Sequence, residues 1–134
     1  MSLWNEKMLI GVPEIDEQHH NLVNALSELL TACAQDQGED VIHRTLLFIV
    51  DYTQEHFHDE ERIQAKYRYP LLEKHKMQHS GFILTVGELM NDYERTRSTN
   101  DLIANTSKIL IDWVMEHIRT EDKKIGDYIR AISN

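Results

Sequence analysis

The chain has 134 residues, with 14 Lys and Arg against 23 Asp and Glu, so its formal net charge at pH 7 is −9. This length is typical of a single domain, and the acidic balance argues against a nucleic-acid-binding protein, which needs a basic face to displace counterions from phosphates. The 41% hydrophobic content suffices for one core, and the single cysteine excludes a disulfide framework and favours a reducing compartment.

No apolar run approaches the roughly 18 residues of a membrane span. The first residues, MSLWNEKMLIG, lack the charged and apolar blocks of a signal peptide. We therefore expect a cytoplasmic protein that binds neither nucleic acid nor membrane and folds as one domain over residues 1–134.

Helical periodicity predicts four helices between about residues 16 and 132, preceded by an N-terminal arm over residues 1–15. The helices are expected to begin after Pro13 (with Asp16 near the cap), near Glu39, at Pro70, and at a cap formed by Ser98, Thr99 or Asn100. They are expected to end near Gly38, Tyr67, Arg95 and Ile132. Four helices with short connections predict an all-α, up-down-up-down four-helix bundle.

The inward faces of these helices carry imidazole and carboxylate where a core normally carries apolar side chains. His56 and Glu60 are spaced one turn apart on the second helix, and His75 and His79 on the third. The first helix adds His19 to its stripe. The fourth is expected to turn one stripe inward, formed by Leu102, Thr106, Ile109, Trp113 and His117.

Burying unpaired polar groups costs several kcal/mol, so a polar layer of this kind indicates a ligand that bonds to all of its members. A metal ion accepts both neutral imidazole nitrogen and carboxylate oxygen. One tetrahedral zinc needs only three or four donors. Six or more donors from four helices therefore favour two metals that share bridging carboxylates.

Four segments resemble the four ligand blocks of the hemerythrin family, in the same order: IDEQHHNL, YTQEHFHDEE, YPLLEKHKMQH and WVMEHIRTEDKKIG. The combined pattern D-x-Q-H, H-x3-E, H-x3-H and H-x4-D is highly specific, and the similarity covers nearly the whole chain. Trp4 and the Val12-Pro13 turn resemble the bacterial single-domain members. The resemblance implies a bundle around a non-haem di-iron centre that binds dioxygen reversibly.

The resemblance also implies a role for each donor. His75, His79 and His117 would fill the coordination of one iron, whereas His19 and His56 would leave the other an open position for dioxygen. Two carboxylates, Glu60 and Asp122, would bridge the irons beside an oxo or hydroxo group.

One of these ligands departs from helical spacing. At about 100° per residue, five residues advance about 500°, which is about 140° away from the direction of His117. A straight α-helix would therefore favour Glu121, one turn after His117. The family pattern favours Asp122 and requires a π-like turn or a break between His117 and Asp122.

The family resemblance places four side chains in the wall of a dioxygen pocket: Leu22, Phe57, Trp113 and Val114. Phe57 and Trp113 could equally be plain core residues, and Val114 occupies a position where the family commonly has a larger leucine. Three further histidines, His20, His43 and His58, are expected to be solvated. In the charge run 59–62 every residue except Glu60 is expected to be solvated, and Cys33 is expected to be a packing residue.

Two classes of function remain open at this point. The preferred hypothesis is a dioxygen-binding protein for storage, transport or buffering, working with an unidentified reductase or oxygen-consuming enzyme. The alternative is a di-iron enzyme that reduces peroxide or nitric oxide, or a ferroxidase-like scavenger. A sensor is a further alternative, and it would need a separate partner because no output domain is expected in this chain.

Overall fold

A computed structural model describes residues 4–35 and 37–133 of the chain. Helices α1, α2 and α3 span Pro13–Ala34, Glu39–Lys66 and Leu72–Thr96. A fourth helical rod consists of α4, π1, α5, π2 and α6, which span Thr99–Asn105, Thr106–Ile111, Asp112–His117, Ile118–Asp122 and Lys123–Ser133. The described residues form no strand, so the predicted all-α four-helix bundle is confirmed.

Helices that are consecutive in the chain pack against each other in the bundle. Helix α1 packs against α2 and against the start of the fourth rod, and α3 packs against α2 and α4. A short 3-10 turn, Glu6–Met8, precedes α1. Five residues lie outside the described part of the chain: 1–3, 36 and 134. Residues 1–3 belong to the predicted arm, residue 36 to the end of the predicted first helix, and residue 134 to the end of the predicted domain.

The first helix begins earlier than predicted. Pro13 is its first residue, a position that needs no backbone N–H donor. Asp16 does not cap this helix, because its carboxylate accepts hydrogen bonds from the backbone N–H groups of Ile10 and Gly11 at 2.8 and 3.1 Å. The helix also ends at Ala34, before the predicted Gly38.

The third helix begins two residues later than predicted. Pro70 lies in a turn, and the backbone N–H of Leu72 donates to the carbonyl of Tyr69 at 3.3 Å. The predicted cap of the fourth rod is confirmed, since the Ser98 hydroxyl accepts from the N–H of Asp101 at 3.2 Å.

Two π-helical segments change the phase of the fourth rod. Each wide turn inserts residues relative to an α-helix and rotates the following side chains around the axis. In π1, Ile109 is 42% exposed to solvent as a result, and Leu110 is completely buried. The prediction that Ile109 faces inward was therefore wrong.

The N-terminal arm packs against α6 at Gly126. A Cβ at this position would lie 1.8 Å from the carbonyl oxygen of Ile10, so only glycine permits the contact. Arg130 donates from Nη1 to the same carbonyl at 2.7 Å. In the described part of the chain, no helix is both long and apolar enough to cross a membrane.

Candidate metal centre

Seven polar side chains meet in the half of the bundle where α1 and α3 begin. Each is at most 6% exposed. They come from α1, α2, α3 and the fourth rod and are called the inner cluster below: His19, His56, Glu60, His75, His79, His117 and Asp122.

Glu60 presents its two oxygens to different histidines. Its Oε1 lies 2.7 Å from Nε2 of His75 and 3.1 Å from Nε2 of His79. Its Oε2 lies 3.4 Å from Nε2 of His19 and 3.3 Å from Nε2 of His56. The carboxylate therefore stands between a pair of histidines from α3 and a pair from α1 and α2.

Asp122 divides its contacts in the same way. Its Oδ1 lies 2.9 Å from Nε2 of His75 and 3.1 Å from Nε2 of His117, whereas its Oδ2 lies 2.9 Å from Nε2 of His19. The inner cluster thus forms two groups that share both carboxylates. The three-histidine group contains His75, His79 and His117, and the two-histidine group contains His19 and His56.

The donor atoms of each group fit a metal ion. At metal–ligand lengths of about 2.1 Å, two donors at a right angle lie about 3.0 Å apart, and the contacts given above run from 2.7 to 3.4 Å. Within the described residues, several of these buried atoms form no well-aligned hydrogen bond: both ring nitrogens of His19, Nε2 of His79, Oε2 of Glu60 and Oδ1 of Asp122. Each group could hold a metal ion.

The segment π2 brings Asp122 into the inner cluster. It spans Ile118–Asp122, where the H-x4-D spacing requires a π-like turn. Asp122 is 1% exposed, whereas the Glu121 side chain is 21% exposed and lies 3.3 Å from the Lys124 ammonium. The straight-helix alternative, with Glu121 pointing inward, is not what the structure adopts.

A small cavity of about 10 Å³ adjoins the two-histidine group. This is close to the room that one water-sized molecule needs. Four of its lining residues belong to the inner cluster: His19, His56, His117 and Asp122. The rest of the wall consists of Leu22, Phe57, Trp113, Val114 and Ile118, so sequence reasoning named four of these five and missed Ile118.

Comparison with known proteins decides the family. The family model described as hemerythrin HHE cation binding domain matches residues 10–129. The chain belongs to the hemerythrin family. It is 29% identical to a bacteriohemerythrin of Stenotrophomonas maltophilia, with 98% of this chain and 84% of that protein covered. It is 28% identical to a bacteriohemerythrin of Clostridium acetobutylicum (95% and 100% covered) and 30% identical to hemerythrin subunit alpha of Lingula anatina (90% and 89% covered).

Hemerythrins are non-haem iron proteins that bind dioxygen. Without metal, the pKa values in the inner cluster depend on burial and on contacts among its own residues. Burial by itself would lower the pKa of His19, but the adjacent carboxylates of Asp122 and Glu60 favour the charged imidazolium more strongly and raise the pKa to about 9. The same two carboxylates outweigh burial at His75 and raise its pKa to about 9.

The two carboxylates shift in the opposite direction. Burial by itself would raise the pKa of Glu60, yet contacts with four histidines hold it well below its usual range. Burial and the charge of Glu60 would likewise raise the pKa of Asp122, and its contacts with His117, His19 and His75 hold it low. Both carboxylates are therefore ionised in the metal-free protein at neutral pH.

Residues just outside the inner cluster hold its histidine rings. The Phe57 ring lies parallel to that of His79, with centroids 3.7 Å apart, and Trp113 stacks on His117 at 4.3 Å. Glu61 contacts Nδ1 of His79 at 2.7 Å. The prediction that Glu61 is a solvated member of its charge run was therefore wrong.

The remaining histidines lie at the surface. His20 and His58 are exposed, and the side chain of His43 is 39% exposed and lies 3.1 Å from a carboxylate oxygen of Glu94. Cys33 is buried in the apolar core, where burial raises the pKa of its thiol. These four residues behave as predicted from the sequence.

Proposed function

We propose that this hemerythrin-family chain is a non-haem di-iron protein that binds dioxygen reversibly for storage, transport or buffering. The observation that carries the proposal is the unequal pair of donor groups, which share Glu60 and Asp122 and meet a cavity for one small molecule on the two-histidine side. We take residues 1–134 as one hemerythrin-like domain.

Coordination arithmetic supports unequal roles for the two irons. Glu60 and Asp122, together with an oxo or hydroxo bridge, would give each iron three shared donors. Three histidines would complete six donors for the iron of the three-histidine group. His19 and His56 would bring the other iron only to five, so dioxygen is expected at the iron of the two-histidine group.

When bound, the two ferrous ions supply the electrons for dioxygen binding. The protein contributes an enclosure that limits what else can happen there. Apart from the proposed ligands, the cavity wall consists of hydrocarbon and aromatic side chains, so it provides neither an acid to protonate dioxygen nor room for an organic substrate. A wall of this kind favours release of dioxygen unchanged over its reduction.

The test is the visible spectrum of the iron-loaded protein through repeated cycles of air and argon. We expect charge-transfer bands that appear in air and disappear under argon over several cycles. Bands that form once and never reverse would contradict the proposal. Steady-state consumption of peroxide or nitric oxide with an electron donor would instead assign an enzyme.

A reversible carrier needs partners that keep it working. We propose that an unidentified reductase returns oxidised iron to the ferrous state, or that an oxygen-consuming enzyme takes the dioxygen. The single cysteine of this chain, Cys33, is a free buried thiol. This fits a reducing compartment, and we propose a cytoplasmic location.

A further inference from the structure

The outer ring nitrogens of two inner-cluster histidines contact chemically different groups. Nδ1 of His79 lies 2.7 Å from Oε2 of Glu61. Nδ1 of His56 lies 2.7 Å from Oε1 of Gln18, whose Nε2 lies 2.9 Å from Oδ2 of Asp59. The three-histidine group therefore meets a carboxylate directly, whereas the two-histidine group meets an amide.

The direction of each hydrogen bond follows from the partners. An ionised carboxylate only accepts, so Nδ1–H of His79 donates to Glu61, and the amide nitrogen of Gln18 donates to Asp59. The amide oxygen of Gln18 then faces His56 and accepts from its Nδ1–H. In both rings Nε2 is left free and faces Glu60, as a metal ligand requires.

We propose that Glu61 and Gln18 make the two metal positions electronically different, with Glu61 favouring ferric iron in the three-histidine group and Gln18 leaving the two-histidine group easier to reduce. The proposal rests on the di-iron function argued above. Both are positioning residues, since each acts through a histidine.

The physical cause is the charge on the acceptor. A carboxylate attracts the Nδ1 proton of His79 and so gives the opposite nitrogen more anionic character, which stabilises a more highly charged metal ion. The amide of Gln18 is neutral and exerts a weaker pull on His56. The contact with Glu61 is shielded, because the His79 side chain is 3% exposed and that of Glu61 is 23% exposed.

Both contacts also fix ring orientation. His79 is held between Glu61 at its Nδ1 edge and the parallel ring of Phe57 on its face. Gln18 is held by Asp59, which prevents its amide from turning its nitrogen toward His56. Asp59 therefore supports the two-histidine side through its hydrogen bond with Gln18.

The test compares Glu61→Gln with Glu17→Gln, a control that removes the same charge at an exposed position. A glutamine at position 61 keeps a hydrogen-bond acceptor for His79 and loses only the charge. We expect Glu61→Gln to raise the reduction potential of the bound iron pair. A tenfold loss of preference for ferric iron corresponds to about 59 mV for a one-electron couple.

A second readout avoids dioxygen and iron altogether. Zinc retention against a competing chelator should fall about 10-fold in Glu61→Gln, the lower end of the usual range for mutation of an outer partner, because the glutamine still accepts a hydrogen bond from His79. The control should retain zinc like the unmodified protein. Because zinc binding does not depend on reversible oxygenation, this readout separates failure of the inference from failure of the proposed function.

The reverse change supplies a test in the opposite direction. In the double variant Gln18→Glu and Asp59→Asn, a carboxylate faces His56, and the new amide replaces the partner that Gln18 had. We expect this protein to have a lower potential than the unmodified one. If Glu61→Gln fails to fold, this variant decides: an unchanged or raised potential overturns the proposal. Equal potentials and equal zinc retention in Glu61→Gln and Glu17→Gln overturn it as well.

Discussion

Nε2 of His117 lies 3.1 Å from Oδ1 of Asp122, although the two residues are five positions apart on one helical rod. An α-helix would point them about 140° apart. The π2 segment removes this difference and lets the rod contribute both an imidazole and a carboxylate to the inner cluster. A π-helical turn at the centre is therefore part of how the chain builds the site.

The first prediction separates Asp122 from its neighbour. Asp122→Asn should lose iron, because a bridging carboxylate contacts both donor groups. Glu121→Gln should keep its iron, since the Glu121 carboxylate contacts Lys124 outside the inner cluster. Iron per chain after gel filtration, measured by elemental analysis, checks both variants. Equal iron content in the two proteins would show that Asp122 is not a ligand.

Helical spacing predicted the bundle, and it placed six residues of the inner cluster on inward faces: His19, His56, Glu60, His75, His79 and His117. Asp122 came only from the family resemblance, because helical spacing by itself favoured Glu121. Spacing failed where local turns deviate from α-helical geometry. The sequence of π1 contains no signal for a π-helical turn, so helical spacing wrongly predicts that Ile109 faces inward. The H-x4-D pattern, in contrast, indicated the π-like turn that the structure forms as π2. Glu61 was taken for a solvated acid because its partner, His79, lies on another helix.

Gln18 is a partner of His56 that the sequence analysis did not single out, although it belongs to one of the family's motifs. The D-x-Q-H pattern contains it, one residue before His19, but a residue next to a ligand points elsewhere on its helix. Only the packing of α1 against α2 shows that Gln18 reaches His56. Contacts between helices thus decide the outer partners, and spacing within one helix cannot reveal them.

The second prediction concerns metal content. The fully iron-reconstituted protein should hold two irons per chain, because two donor groups share only Glu60 and Asp122. Combined iron and amino-acid analysis gives the ratio. A reproducible value of one iron per chain, with the His56→Ala variant also at one, would contradict the dinuclear assignment.

The third prediction is that metal removal lowers stability. Bound metal adds about 2.7 kcal/mol per site when free metal is 100 times its dissociation constant. Chelation should therefore lower the thermal midpoint clearly, and returning ferrous iron under argon should restore it. An unchanged midpoint after verified metal removal would mean that no metal is held by the inner cluster.

The fourth prediction is that the metal-free protein becomes less stable at alkaline pH. Neighbouring carboxylates raise the pKa values of His19 and His75 to about 9 in the folded protein, whereas an unperturbed histidine has a pKa of about 6.5. A raised pKa means that the stabilisation is fully present below about pH 6.5 and is lost as the pH rises through about 9. The urea midpoint in excess chelator should thus fall from pH 6 to pH 10. The metal-loaded protein should lack this fall, because its imidazoles are already neutral.

The last prediction concerns Val114, which is 2% exposed and lines the small cavity beside the two-histidine group. Val114→Leu adds a methylene to a cavity of about 10 Å³, so it should exclude water more fully and slow autoxidation. Val114→Thr has a similar shape and brings a hydroxyl donor. A hydrogen bond worth about 1 kcal/mol would speed autoxidation about fivefold.

The measurement is the rate at which the air-equilibrated ferrous protein becomes ferric in the three proteins. Iron content serves as the control and should stay the same, since Val114 is not a proposed ligand. Overpacking by leucine can cost about 1–3 kcal/mol of stability, so rates are compared well below each thermal midpoint. Three equal rates would show that Val114 does not control access to the iron of the two-histidine group. A faster rate in Val114→Leu than in Val114→Thr would mean that its side-chain size acts through packing around the ligands and not through exclusion of water.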